Sequence, residues 1–204
     1  MNPEALVVFA GALFVAAASP GPGIAALVAR VLGRGTAGAV AFTAGLAIGD
    51  VVWLAVAVAG MSALAKAFAG VFLVVKYAGA AYLLFLAWKL WTASPSVAEG
   101  GLPPRPDPSW RLFLGGLAVT LGNPKVMVFY LALVPNLIDV TAITMLGFAE
   151  LAAVLLAVLA IVFGFYIALA ARARRFLTSP GAVRAVNRTT GAVMAGAAIA
   201  VATR

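Results

Sequence analysis

The chain has no cysteine and no histidine. That excludes disulfides, thiol nucleophiles, imidazole acid–base chemistry and any thiolate or imidazole metal site, and it leaves the redox compartment open. Charge is also scarce: 10% of the residues are charged, with six acidic side chains against 14 basic ones. A catalytic carboxylate pair or a carboxylate metal cage has little to draw on, so neither an enzyme nor a resident metal or other cofactor is expected. No lysine follows a glycine, which removes the Gly-Lys-Ser/Thr phosphate loop and ATP hydrolysis by that route. Ten-residue stretches of alternating apolar and polar residues are missing as well, which argues against a membrane β-barrel.

What the chain has in abundance is hydrocarbon. Of its 204 residues 65% are hydrophobic, and the mean hydropathy is +1.12. This composition belongs to an all-α integral membrane protein. About 20 apolar residues cross roughly 30 Å of bilayer core. Such stretches run Ala5–Val28, Thr36–Ala65, Val71–Trp91, Leu112–Ile138 and Val140–Ala171, and a shorter sixth, Thr189–Thr203, spans if Arg184 and Arg188 snorkel. The start, Met1-Asn2-Pro3-Glu4, lacks a basic leader, so the first stretch reads as a retained span.

The net charge of +8 is explained by topology rather than by nucleic acid. Arg30 and Arg34 fall in the first connection, Lys89, Arg105 and Arg111 in or beside the third, and Arg172, Arg174, Arg175, Arg184 and Arg188 in the fifth. The odd-numbered loops are therefore expected in the cytoplasm, with both termini outside. Residues 93–111, rich in Pro, Gly and Ser, read as a flexible cytoplasmic linker. They separate residues 1–92 from residues 112–204.

Ala18-Ser19-Pro20-Gly21-Pro22-Gly23 interrupts the first span, and Gly122-Asn123-Pro124-Lys125 interrupts the fourth. Pro20 pairs with Pro124 and Gly79 with Gly191 at offsets that agree within a short insertion. Three spans per half make the second copy upside down. The expectation is two inverted three-helix repeats, each with a Pro-broken first helix, a pattern found in secondary transporters whose site lies between the repeats. A packing kink is the competing reading of one isolated proline. Two prolines with an echo in the other half favour the break.

These residues carry a resemblance. Ser19-Pro20-Gly21-Pro22, the basic stretch Arg30–Gly35, Tyr77–Trp91, Gly122–Pro135 and Ala171–Phe176 together resemble the LysE/RhtB family of amino-acid exporters, in the right order over nearly the whole chain. The resemblance implies a bacterial inner-membrane carrier that exports amino acids or close derivatives, driven by the proton gradient. Two positions depart from the family's pattern: Gly23 where Asn is usual, and Pro135-Asn136-Leu137 where Pro-Gln-Phe is usual. They put the substrate in question more than the class.

Charges inside spans cost at least about 2.5 kcal/mol at the bilayer centre and are functional hypotheses by default. Asp50 sits near the middle of the second stretch, on a face with Thr43, Ala47, Leu54 and Ala57. It is read as the proton-coupling carboxyl, with a structural ion pair to a lysine as the alternative. Lys125 either offsets Asp50, binds a substrate carboxylate beside Asn123, or anchors a helix end. Glu150 is either interfacial or the inverted counterpart of Asp50. The candidate substrate site is thus Ser19, Pro20, Gly21, Pro22, Gly23, Asn123, Pro124 and Lys125, with Asp50 and Glu150 as coupling acids. A small-residue stripe, Ala41, Gly45 and Gly49, suits close helix contact within one chain or across a homodimer. Export of a metal cation or another small solute on the same fold, and a non-transporting membrane subunit, are the competing functions.

Overall fold

The computed structural model of the chain describes residues 2–59, 107–138 and 143–174, with scattered positions between 77 and 92 and between 181 and 199. Among them the architecture is entirely helical. α1 runs Pro3–Ala18, α2 Pro22–Arg34, α3 Ala39–Val58, α4 Ser109–Leu121, α5 Pro124–Val128 and α6 Met145–Arg174. α5 continues through a π-helical stretch, Phe129–Leu133, into α-helical Val134–Leu137. Pro135 has no N–H to give the carbonyl four residues back, and the Val134 amide bonds instead to the Phe129 carbonyl, five back.

Two helices, α3 and α6, are each long and apolar enough to cross a membrane. Two further apolar segments are helix pairs interrupted by a break. α1 and α2 meet at 55°, and α4 and α5 meet at 56°. Pro22 and Pro124 each occupy the first turn of the restarting helix, where a missing N–H costs nothing. The third and sixth sequence spans and most of the linker lie outside the described residues. The break corrects one boundary: the first segment does not end at Val28, because the restarted helix has turns to spare and carries Arg30 and Arg34 within α2 rather than in a loop. Ser109–Arg111, at the end of the expected linker, likewise form the first turn of α4.

α3 and α4 run parallel and touch through glycine. A Cβ on Gly45 would collide with the Phe113 carbonyl, and one on Gly116 with the Phe42 carbonyl, so each glycine lets the other helix's backbone in. Gly49 makes the same room for Thr120 one turn further on. The stripe of small residues is therefore spent inside the monomer.

The basic ends gather at one end of the bundle. Arg34 pairs with Asp107 just before α4, Arg30 lies 3.9 Å from the same carboxylate, and Arg30 also donates to the Ala37 carbonyl at 3.1 Å. Gly35 and Gly38, at φ of 75° and 73°, make the α2–α3 turn that β-carbons would resist. Gly35 packs against Arg174 of α6. The ends of α2 and α6 and the start of α4 thus share a side.

A broken helix leaves carbonyls that lipid cannot satisfy. α6 answers one of them: the Tyr166 hydroxyl donates to the Ala18 carbonyl at 2.7 Å. Three variants test this packing. Gly45→Val is expected to lower the unfolding free energy by roughly 1–3 kcal/mol through overpacking against α4. Gly11→Ala, where a β-carbon meets nothing within 4 Å, should leave it unchanged or slightly raised. Tyr166→Phe, which orphans the Ala18 carbonyl, should cost about 1 kcal/mol. Thermal unfolding of the purified protein in detergent reads all three.

Candidate functional site

The two breaks face one cavity. From the basic end, α2 climbs 13 residues to its first residue and α4 climbs 13 to its last. At 1.5 Å per residue each covers about 20 Å, which puts both breaks deep in a bilayer core of roughly 30 Å. Asp50, in the twelfth position of α3, stands at about the same depth, one residue from the Gly49–Thr120 contact.

The cavity between them has a volume of about 60 Å³. Its polar wall is small: Ser19, Gly21 and Gly23 from the first break, Asn123 and Lys125 from the second, Asp50 from α3, and Thr120 and Tyr130 beside them. The rest is hydrocarbon, from Leu13 of α1, Ile24 of α2, Leu46 of α3, Phe129 after α5 and Leu159 and Phe163 of α6.

Lys125 joins the two breaks. Its Nζ donates to the Ser19 carbonyl at 2.5 Å, so the ammonium takes up the second carbonyl that the end of α1 leaves over. It also sits against Gly21, whose β-carbon, if present, would lie 3.6 Å from Nζ. An ammonium has three donors, and two have no partner among the described residues. The Asn123 carbonyl oxygen caps the restarted helix by accepting from the Lys125 amide at 3.1 Å. α2 has no such cap. Gly21 offers no side chain, and the amides of Gly23 and Ile24 find no acceptor among the described residues. A 13-residue helix therefore aims two free N–H groups and its positive end at the cavity, beside a lysine.

Asp50 is 7% exposed. It is the acidic group in the cavity wall, and it faces the Lys125 charge across the space without an ion-pair contact. Tyr130 is fully buried; its hydroxyl is turned toward Asp50, near enough to interact yet outside ordinary hydrogen-bond geometry, and nothing else satisfies it. The Ser19 hydroxyl is spent on the Val15 carbonyl at 2.7 Å, so Ser19 contributes its backbone to the site.

The structure thus brings together Ser19, Gly21, Gly23, Asn123, Lys125 and Asp50. Pro20, Pro22 and Pro124 shape the breaks and are not part of the wall. Glu150 lies in the second turn of α6, half-buried and away from the cavity. Sequence reasoning passed over Thr120, and it weighed Tyr130 as a pocket residue but favoured an interface anchor. The signal for Tyr130 was its position one helical turn beyond Val126 on the face that Lys125 begins, but tyrosine in a membrane segment more often marks the interface.

With that geometry in place, comparison with known proteins is informative. A leucine efflux protein of Salmonella choleraesuis (strain SC-B67) is 33% identical over 132 residues, 65% of this chain and 62% of the relative. This chain thus matches less than two thirds of that relative's length. A homoserine/homoserine lactone efflux protein of Salmonella typhimurium (strain LT2) is 30% identical over 175 residues, 86% of this chain and 84% of the relative. An uncharacterized membrane protein of Vibrio cholerae is 29% identical over 194 residues, 91% of this chain and 90% of the relative. No solved structure matches. The family model described as LysE type translocator matches residues 14–204, which takes in both breaks, Asp50 and Lys125. The chain belongs to the LysE-type translocator family.

Proposed function

We propose that this protein is a secondary active exporter of amino acids or their close derivatives, working by alternating access and driven by proton antiport. The observation that carries the reading is the cavity where two broken helices meet at mid-depth, lined by free helix-terminal amides, an ammonium and a carboxyl. Breaks of this kind lie at the substrate sites of carriers. The efflux activities named for the two Salmonella relatives agree with it.

The six-span inverted repeat belongs to the same proposal. The bends of 55° and 56° support it, as does the parallel between Gly21-Pro22-Gly23 and Asn123-Pro124-Lys125, each a cap residue followed by proline in the first turn. So does the packing: α3 lies chiefly on the broken α4, and α6 on the broken α1 and α2, so each half's straight helix braces the other half's break. The gathered arginines support a topology with the α2–α3 turn, the start of α4 and the end of α6 on the cytoplasmic side of a bacterial inner membrane, by the positive-inside rule.

In this mechanism the substrate carboxylate binds the free amides of α2 and the Lys125 ammonium. Asp50 carries the coupling proton, inward as the substrate leaves outward. Glu150 is a second proton carrier only if it comes to face the pathway. Energised cells expressing the protein are expected to release at least one amino acid faster than empty-vector cells. Asp50→Asn and a proton uncoupler should each return the rate to the empty-vector level. Efflux that survives both would refute proton coupling through Asp50.

A further inference from the structure

The carboxylate end of the cavity leaves unused a fully buried tyrosine whose hydroxyl is turned toward Asp50 but outside ordinary hydrogen-bond geometry. A buried phenol without a partner costs on the order of 1–3 kcal/mol. Such a group is explained if the site is completed by a ligand. Building on the amino-acid exporter reading, we infer that Asp50 and Tyr130 form the ammonium subsite of the same cavity, which therefore takes a whole zwitterion with an uncharged side chain.

The charges fix the ligand's form. Lys125 and Asp50 face each other across about 60 Å³ without touching, so one small molecule can reach both. A lone cation would satisfy Asp50 and be repelled by Lys125 and by the positive end of α2. A lone anion would do the reverse. A zwitterion answers both, with its carboxylate on the Gly23 and Ile24 amides and Lys125, and its ammonium donating to the Asp50 carboxylate and to the phenol oxygen. The Tyr130 phenol oxygen then accepts from the ammonium while its O–H stays turned toward Asp50.

The remaining wall fixes the side chain. Leu13, Ile24, Leu46, Phe129, Leu159 and Phe163 offer no group that pairs with a third charge. A lysine or glutamate side chain would be buried there unpaired, which rejects it far more strongly than a change of one methylene could. The cavity is tight for a whole amino acid as it stands, so loading requires the walls to part, and the hinges between α1 and α2 and between α4 and α5 lie at the site itself.

One consequence concerns coupling. Asp50 cannot hold a proton and an ammonium together. The other titratable groups facing it are Lys125 and Tyr130, both from the α5 segment; the cavity residues of α1, α2, α4 and α6 are uncharged. Proton and substrate therefore exclude each other at a single carboxyl, which is the simplest form of antiport.

Equilibrium binding to the purified full-length protein tests the assignment, with leucine, its 2-hydroxy analogue, 3-methylbutylamine, lysine and glutamate as probes. Leucine is expected to bind at least about tenfold more tightly than each of the others, the worth of one buried charge-assisted contact. In Tyr130→Phe and Asp50→Asn, leucine's preference over the 2-hydroxy analogue should shrink toward unity, because the lost contact is to the amine. A fold defect would instead weaken both ligands alike and lower the unfolding temperature. Equal binding of leucine and the 2-hydroxy analogue by the unaltered protein, or of lysine and leucine, would overturn the ammonium subsite while leaving amino-acid export standing. Absence of binding and transport for every amino acid tried would remove the export reading and this assignment with it.

Discussion

Hydrocarbon supplies no hydrogen bonds, and this chain breaks two of its apolar helical segments, with bends of 55° and 56°. Everything around the breaks follows from that constraint. The carbonyls of Ala18 and Ser19 are satisfied by Tyr166 and Lys125, side chains more than a hundred residues further on, so the break is stable only when the halves are assembled. At the start of α5 the Lys125 amide is met locally by Asn123. At the start of α2 neither the Gly23 nor the Ile24 amide finds an acceptor among the described residues, and on the proposed reading that asymmetry makes one break a brace and the other a binding surface.

Packing keeps the constraint exact. Gly45, Gly49 and Gly116 bring α3 and α4 into backbone contact, which holds Asp50 and Thr120 at the level of the second break. Larger residues there would push the carboxyl away from Lys125. Buried charges of this kind are expensive when single. Here the acid and the ammonium face each other across a gap, and on the proposed reading a zwitterion bridging it offsets that cost.

Much of this was legible in the sequence, and for identifiable reasons. Proline inside an apolar run betrays a break, and charge inside one betrays a site, so Ser19–Gly23, Asn123–Lys125 and Asp50 announced themselves. Four of the six expected spans fall on described helices or broken helices. What periodicity could not give was where a helix ends once it has restarted, hence Arg30 and Arg34 inside α2. Nor does a stripe of small residues name its partner; α4 became that partner only through Gly116, one glycine among 21. Tyr130 needed three dimensions, because its meaning lies in facing Asp50 from another helix. Glu150 shows the opposite case, a charge conspicuous in sequence that stands apart from the cavity.

The central claim is that the cavity between the breaks is a solute site that opens in turn to each side of the membrane. The absence of cysteine makes it directly measurable. Ala17, in the cavity wall, can be replaced by cysteine and its reaction with a membrane-impermeant maleimide followed from each side of sealed vesicles. The account predicts slow labelling from both sides, suppressed by a transported amino acid. Labelling from neither side, or labelling that no amino acid affects, would contradict it.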